Sequence, residues 1–266
     1  MQKKENIVYR VARTRDELAQ AFALVYKEYA HRGYIPKGYK SKMRMSLFNT
    51  MPSTVTFIGI QGAKVVATVT LIPDTAMGIP MDKIYHDELV LFRRKGLRIA
   101  EVSQLSIDAK LFPPGWFSMF NFEKLMFVFN LFKVVFDYVR FEDKLDELCI
   151  AVNPKHQYLY KFIFFEQFGN LKYYGSVNKA PALALHLSIN KDLKTRSQMF
   201  RQVVHNIFYG GRVNKDLIKN RFELKKADLE YFFVKESDLF KKATKEQLGI
   251  IRKYYPKEKL DKIIRC

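Results

Sequence analysis

The sequence is poor in the residues that build disulfide frameworks and metal centres. Its 266 residues include two cysteines, Cys149 and Cys266, which do not have metal-ligand spacing. Two such thiols are typical of a reducing compartment. The sequence has no apolar run of about 18 residues, the length that a membrane span needs, and its start, MQKKENIVYR, lacks the apolar core of a signal peptide. We therefore expect a cytoplasmic protein, and peripheral contact with a membrane stays open.

The common signatures of nucleotide, zinc and serine-hydrolase sites are also absent. The sequence has no G-x-x-x-x-G-K-[ST] or G-x-G-x-x-G loop, which would bind nucleotide phosphates. It has no C-x-x-C, H-E-x-x-H or G-x-S-x-G motif, which argues against common zinc sites and the serine-hydrolase elbow. The isolated His156 and His186 are interpreted as structural. We predict no metal ion and no permanently bound cofactor.

Acidic residues are scarce relative to basic ones. The chain has 46 lysines and arginines against 27 aspartates and glutamates, which gives a formal net charge of +19. An excess of this size usually indicates an acidic partner, and nucleic acid, an anionic membrane and an acidic carrier protein all qualify. The basic residues are dispersed and form no recognised nucleic-acid-binding motif, so nucleic acid is not a predicted partner. With 48% hydrophobic residues, the chain can bury a substantial core.

Hydrophobic patterning predicts a mixed sheet with helices. From the amino terminus it predicts strand 7–11, a helix from the capping-box pair Thr14 and Glu17 to Gly33, a hairpin that turns at QGAK, strand 98–108, an aromatic helix 117–141, strand 145–153, a helix from Pro154 to Gly169, and strands 171–177 and 180–190. Hairpins mixed with crossover helices are typical of an α/β (α+β) sheet. After residue 191 the pattern changes to basic helical segments, so we divide the chain into a sheet domain, 1–191, and a helical extension packed on it, 192–266.

One charged residue stands inside an apolar strand. In RIAEVSQLSID, residues 98–108, Glu101 lies among β-forming and small residues. A buried carboxylate without a partner is costly, so such a residue is exposed, paired or held there for chemistry. Arg98 points to the opposite face of the strand, whereas Ser103 shares the face of Glu101. Both a structural salt bridge and a catalytic role therefore stay open.

Two stretches resemble a known family. NPKHQYLYKFIFFEQFG (153–169) is similar to the fourth-helix signature of GNAT acyltransferases. The longer stretch NPKHQYLYKFIFFEQFGNLKYYGSVNKAPALALHLSI (153–189) and TVTLIPDTAMGIPMDKIYHDELVLFRRKGLRIAEVSQLSID (68–108) both resemble the long-chain N-acyl amino acid synthases, which are related to the acyl-homoserine-lactone (autoinducer) synthases. The most specific positions are Asp74, Gly78, Pro80, Tyr85, Glu88, Leu89, Arg93, Gly96 and Glu101. The resemblance implies a GNAT-like mixed sheet, splayed at its centre and flanked by helices.

The resemblance also implies a reaction, the transfer of a long-chain fatty acyl group from acyl carrier protein to the amine of an amino acid or similar small molecule. The amine must lose a proton, and Glu101, Ser103 and Asp74 are the catalytic candidates. Backbone N–H groups around Val102 to Leu105 would bind the oxyanion. The phenylalanine-rich helix is either part of an acyl slot or plain core. The predicted acyl and pantetheine contacts are Val102, Leu105, Ser106, Asn153 and Tyr160.

Two departures from the family patterns bear on the donor and the product. Where CoA-dependent GNAT enzymes have a loop that binds pyrophosphate, this chain has DAKLFPPGWFSM, whose two prolines lack N–H donors. That favours acyl-phosphopantetheine on the acidic acyl carrier protein as co-substrate, with Lys110, Lys155 and Lys161 as docking residues. Gln104 stands where autoinducer synthases have arginine, which argues against a lactone product. The alternatives are a CoA-dependent N-acyltransferase and a non-enzymatic basic module that binds nucleic acid or an anionic membrane.

Overall fold

The centre of the molecule is a mixed sheet. A computed structural model describes residues 6–35, 41–112, 122–142, 144–189, 206, 212–258, 260 and 263–264. In this part of the chain the strands are β1 Val8–Val11, β2 Val55–Gln61, β3 Lys64–Pro73, β4 Ile99–Ile107, β5 Glu147–Val152, β6 Glu166–Gln167, β7 Lys172–Tyr174 and β8 Ala180–Ser188. The order across the sheet is β1-β2-β3-β4-β5-β8-β6, and β7 also pairs with β8.

Helices cover both faces of the sheet. They are α1 Arg15–His31, α2 Asp82–Arg94, α3 Phe122–Glu142, α4 Gln157–Phe162, α5 Lys215–Ile218, α6 Lys226–Glu230, α7 Leu239–Lys242 and α8 Lys245–Tyr254, with 3₁₀ turns at Leu47–Thr50, Ala109–Leu111 and Pro154–His156. Ile58 and Ile99 point toward the α1 and α2 side, whereas Phe57 and Ala100 belong to the apolar cluster around α3. This alternation follows from the two-residue period of a strand. The predicted class, an open mixed sheet flanked by helices, is confirmed.

Local signals placed several elements correctly. The hairpin turns between Gln61 and Lys64, where Gly62 adopts a positive φ of 57°. The Thr14 side chain caps α1 by accepting a hydrogen bond from the Glu17 amide at 3.1 Å. The Glu17 carboxylate, the other half of the predicted capping box, accepts hydrogen bonds from the backbone N–H groups of Thr14 and Arg13, and it also forms an ion pair with Arg10 at 2.7 Å.

The helix predicted from Pro154 to Gly169 is too long. It consists of a 3₁₀ turn and α4, which ends at Phe162. Phe164 has a positive φ of 72°, which an α-helix cannot accommodate, and β6 then pairs with β8. Residues 163–165 are all buried, so a continued helix would have no polar face here. For the predicted helix 117–141, the structure describes α3 from Phe122, and residues 113–121 lie outside the described part.

Helical segments follow the sheet, and they pack on α1. The rings of Phe22 and Phe232 meet edge to face with centroids 5.4 Å apart, and Arg15 forms an ion pair with Asp228 at 2.6 Å. The Tyr255 hydroxyl donates to the carbonyl of Thr50 at 2.7 Å. The division at residue 191 lies outside the described residues and stays a prediction. None of the described helices is long and apolar enough to cross a membrane.

Among the described strands, one neighbouring pair is parallel, β4 with β5. Its register pairs Ile99 with Glu147, Ala100 with Leu148 and Glu101 with Cys149. Beyond these residues β4 continues on β3 to Ile107, while β5 continues on β8 to Val152. The two strands therefore diverge immediately after Glu101, and we call the opening between 102–107 and 150–152 the cleft. This is the splay that the family resemblance implied.

Candidate active site

Glu101 lies at the point where the cleft begins. Its side chain is buried, with 3% of the residue exposed. One carboxylate oxygen accepts a hydrogen bond from the Met81 amide at 2.7 Å, and the Ser103 hydroxyl also hydrogen-bonds the carboxylate. In the described part of the chain no lysine or arginine forms an ion pair with Glu101, and Arg98 pairs with Asp146 at 2.8 Å instead. The described residues thus give Glu101 no ion-pair partner, and its catalytic role stays a prediction.

The environment of Glu101 changes its acidity. Burial raises the pKa of the carboxyl group to about 8, although the hydrogen bonds from Met81 and Ser103 oppose this shift and the nearby charge of Asp82 adds to it. At neutral pH this carboxyl group therefore exists in both protonation states. A group with that property, placed at a cleft, has the acidity that a general base needs.

The loop that supplies the Met81 amide is held by a shared arginine. The Arg93 guanidinium contacts Asp74 at 2.7 Å and Asp82 at 2.6 Å. Gly78 has a φ of 72°, and a Cβ atom there would lie 2.6 Å from an Asp82 oxygen. Several residues of the family pattern thus shape this loop. Asp74 forms an ion pair with Arg93 in the structure, and its predicted role as a proton acceptor stays a prediction.

A second part of the same pattern ties α2 to the last strands. The Tyr85 hydroxyl donates to the carbonyl of Ala182 at 2.8 Å. Glu88 forms an ion pair with Lys172 at 2.7 Å, and the Lys172 ammonium lies 4.9 Å from the centre of the Tyr85 ring. A Cβ atom on Gly169 would lie 2.8 Å from that ring. These contacts fix α2, whose first turn follows the Met81 amide.

The residues predicted to contact the acyl chain and pantetheine lie in different parts of the structure. Val102, Leu105 and Tyr160 belong to one apolar cluster with α3, and the Tyr160 ring lies 5.8 Å from that of Phe132. Burial raises the pKa of the Tyr160 hydroxyl, so it stays neutral. Asn153 caps the turn before α4 by accepting a hydrogen bond from the Lys155 amide. Ser106 lies apart from this cluster, beside Thr68 on the opposite face, and its buried hydroxyl has no partner among the described residues.

The three predicted docking lysines are all exposed. Lys110 follows β4, and Lys155 and Lys161 lie at the two ends of the turn and helix that follow β5. Tyr158, which lies between Lys155 and Lys161, is 75% exposed, and Phe162, directly after Lys161, is 36% exposed. The structure thus places basic and apolar side chains together on this segment.

Sequence reasoning missed a bulge in β4. Ser103 pairs with Thr70 and Ser106 with Thr68, so β4 has one extra residue between these pairs. Gln104 has a positive φ of 56°, and its side-chain oxygen accepts hydrogen bonds from Thr70 at 3.1 Å and Asn49 at 3.2 Å. Asn49 lies outside all the elements predicted from the sequence, and no local pattern marks it.

Two tyrosines near Glu101 were also missed. Burial raises the pKa of Tyr29 and of Tyr174, and the charge of Glu101 contributes to both shifts. One comes from α1 and the other from β7, so their proximity to β4 is a result of the fold. No spacing in the sequence indicates it.

A second buried carboxylate lies at the start of β5. Glu147 contacts His186 Nδ1 at 2.8 Å and accepts a hydrogen bond from the Ser188 hydroxyl. The His186 ring packs against Phe92 and Phe168. The described residues contain no group of three or more His, Cys, Asp or Glu side chains that could hold a metal ion.

Comparison with known proteins gives related chains. The model of the N-acyl amino acid synthase FeeM family matches residues 20–188. The solved structure of FeeM, an N-acyl amino acid synthase from uncultured soil microbes, is 34% identical with a TM-score of 0.59, covering 72% of this chain and 94% of FeeM. No curated protein sequence matches.

Two acyl-homoserine-lactone synthases share the fold at low identity. LasI is 13% identical with a TM-score of 0.52, covering 78% of this chain and 96% of LasI. The CoA-dependent synthase BjaI is 12% identical with a TM-score of 0.53, covering 84% of this chain and 98% of BjaI. The predicted GNAT-like fold is confirmed.

Proposed function

The chain belongs to the FeeM family of N-acyl amino acid synthases and is an acyltransferase, and we propose that it transfers a long-chain fatty acyl group from acyl carrier protein to the amine of an amino acid. The observation that carries the proposed reaction is the position of Glu101 in the structure. A buried carboxyl group with a pKa of about 8 lies at the last residue pair before β4 and β5 diverge.

In the proposed reaction the acyl thioester lies in the cleft and the amine approaches on the Glu101 side of the sheet. Glu101 takes a proton from the ammonium group, directly or through a water molecule. The free amine attacks the thioester carbon, and backbone N–H groups of the bulged part of β4 stabilise the oxyanion. The C–S bond then breaks as the amide forms, the pantetheine thiolate takes the second proton that the nitrogen loses, and Glu101 releases the first proton to solvent. Cys149 is fully buried and burial raises the pKa of its thiol, so the mechanism includes no acyl-cysteine.

The choice of carrier protein over CoA is supported by Asp108. Its side chain lies at the start of the turn that follows β4, the place of the pyrophosphate loop in CoA-dependent relatives. Burial alone would raise the pKa of Asp108, but hydrogen bonds from Lys27 and Lys64 outweigh it and lower the pKa to about 2. The Asp108 carboxylate also accepts a hydrogen bond from the Lys110 amide at 3.0 Å. Because the N–H group of Lys110 is already occupied, it is not available to bind a diphosphate here.

The exposed segment after β5 supports the same donor. Acyl carrier proteins are acidic, and Lys155 and Lys161 are exposed on either side of the apolar Tyr158. A surface of this composition suits a negatively charged partner with an apolar contact at its centre. It lies where β5 leaves the cleft, which is the expected entry for a pantetheine arm.

The direct test is a donor and acceptor matrix. The purified chain is mixed with long-chain acyl carrier protein or acyl-CoA and a panel of amino acids, and N-acyl products are measured by mass spectrometry. We expect products with the carrier-linked donor, and none for the Glu101→Gln variant. Transfer from acyl-CoA at equal or higher efficiency would contradict acyl carrier protein as the donor. Products formed only with amines other than amino acids would contradict an amino acid as the acceptor.

The docking surface has its own test. Charge reversal at Lys155→Glu and Lys161→Glu should raise the KM for acyl carrier protein about tenfold while kcat and the KM for a soluble acyl-pantetheine stay unchanged. Lys241→Glu with Lys242→Glu, an equal charge change on the exposed α7, is the matched control. Equal effects of the two double variants would show that net charge matters and this surface does not.

A further inference from the structure

The bulge in β4 needs support from outside the strand. A non-glycine residue in the left-handed region is strained, and Gln104 lies there with φ 56°. On the β5 side, this part of β4 pairs with none of the described strands. The backbone from Ser103 to Leu105 therefore depends on side-chain contacts to keep one conformation.

The contacts that hold Gln104 converge on its amide. Asn49 Nδ2 donates to the Gln104 oxygen at 3.2 Å, and Gln104 Nε2 donates back to Asn49 Oδ1 at 3.3 Å. The Thr70 hydroxyl donates to the same Gln104 oxygen at 3.1 Å. Asn49 is only 5% exposed. Buried side-chain hydrogen bonds of this kind fix one geometry.

Asn49 is held in place by Ser46, and the C-terminal extension contacts the residue that follows Asn49. Asn49 Oδ1 accepts from the Ser46 amide at 2.9 Å and the Ser46 hydroxyl at 3.0 Å. The next residue, Thr50, accepts the buried hydrogen bond from Tyr255 at 2.7 Å. Tyr255 lies beyond residue 188, where the match to the family model ends. A chain of contacts thus runs from the extension to the residue next to Ser103.

We propose that Asn49 is a positioning residue for acyl transfer, acting through Gln104 to fix the bulge beside Ser103, and that Tyr255 of the extension sets Asn49. The proposal rests on the proposed function, since it concerns the same reaction. In physical terms, the Asn49 amide selects one backbone conformation of residues 103–105. The N–H groups that meet the oxyanion are then in place before the substrate arrives.

The main experiment is a double-mutant cycle. Asn49→Ala and Gln104→Ala should each lower kcat roughly 10- to 100-fold, since a displacement of about 1 Å has effects of that size. The KM values for donor and acceptor should stay within about twofold, because Asn49 touches neither in this proposal. If Asn49 acts through Gln104, the double variant should be no worse than Gln104→Ala alone. Multiplied losses would overturn the proposal.

A matched control separates positioning from stability. Thr14 lies outside the segment that holds Asn49, exposed at the start of α1, where its hydroxyl accepts a hydrogen bond from the Glu17 amide at 3.1 Å. Thr14→Ala should lower the melting temperature about as much as Asn49→Ala and leave kcat within about twofold. Equal kcat values for the two variants would mean that Asn49 has only a structural role.

Hydrogen exchange gives a readout that does not depend on activity. Asn49→Ala should speed amide exchange in the peptide 102–107, and Thr14→Ala should not. If the unmodified chain transfers no acyl group from any donor, the proposed function fails and the exchange data alone decide whether Asn49 holds the bulge. Equal exchange rates of the peptide 102–107 in the Asn49 variant and the control variant would show that Asn49 does not hold the bulge.

The contribution of the extension is tested by removing one oxygen atom. Tyr255→Phe keeps the ring and deletes the hydrogen bond to Thr50. We expect a kcat about three- to tenfold lower, with faster exchange in 102–107 and an unchanged KM. Unchanged kcat and exchange would restrict the positioning role to Asn49 and overturn the part played by Tyr255.

Discussion

Glu101 and Glu147 are two buried carboxylates on neighbouring strands, and their surroundings differ in kind. Glu147 meets the ring nitrogen of His186 and the hydroxyl of Ser188. Glu101 meets one backbone amide and one hydroxyl and has no ion pair among the described residues. Glu147 thus has two side-chain partners, whereas Glu101 has no cation among the described residues to stabilise its charged form. The comparison shows that the partners decide what a buried acid can do.

Replacing the two carboxyl groups in turn tests this contrast most strongly. Glu101→Gln should lower kcat by roughly 10²- to 10⁴-fold, since it removes the proton acceptor and keeps the shape. Acyl transfer is measured by product formation and folding by circular dichroism. Unchanged turnover in a folded variant would remove Glu101 from the chemistry.

Glu147→Gln should show the opposite pattern. We expect turnover within about threefold of the original and a free energy of unfolding lower by about 1–3 kcal/mol, because His186 and Ser188 lose a charged partner. Urea denaturation gives the stability. A large loss of turnover with intact stability would mean that the second carboxylate also belongs to the active site.

The pH dependence of stability sharpens the contrast further. In the folded chain the pKa of Glu101 is about 8, above its ordinary value of 4.5, so the folded state holds this proton more tightly. Its contribution to stability is therefore complete below about pH 4.5 and is lost as pH rises through 8. In Glu101→Gln, stability should fall less between pH 5 and 9 than in the original chain. Identical slopes from urea denaturation would contradict the raised pKa.

The smallest expected effect concerns the two serines. The Ser103 hydroxyl lowers the pKa of Glu101, so Ser103→Ala should move the rise of kcat/KM, expected near pH 8, to higher pH. Ser188→Ala removes the corresponding hydroxyl beside Glu147 and should leave the profile in place. Equal shifts in both variants would point to a general loosening of the fold.

Part of the fold could be predicted because its causes are local. The turn from Gln61 to Lys64 and the cap at Thr14 depend on residues close in sequence, and both occur as predicted. The end of α4 could not be predicted. The helix ends before Phe164, whose φ is positive, and two residues later Glu166 pairs with His186 of β8. That pairing depends on a strand formed later in the chain.

The site shows the same division. Glu101 could be found because a carboxylate interrupts an apolar strand. The Met81 amide and Asn49 could not, since an amide has no sequence signature and Asn49 contacts Gln104 only through the fold. Asp74 was recognised as part of a family pattern, but its partner Arg93 lies on α2, and only the structure shows that the two meet.

The short parallel ladder between β4 and β5 also has a consequence for the order of folding. It joins residue 99 to 147 and residue 101 to 149, whereas the hairpin of β2 and β3 joins 61 to 64. Contacts that close long loops form slowly, so the hairpin should appear first and this ladder late. Since Glu101 belongs to the last pair of the ladder, enzymatic activity should return after most of the secondary structure during refolding. The enzyme would thus become active only when the two halves of its sheet have joined.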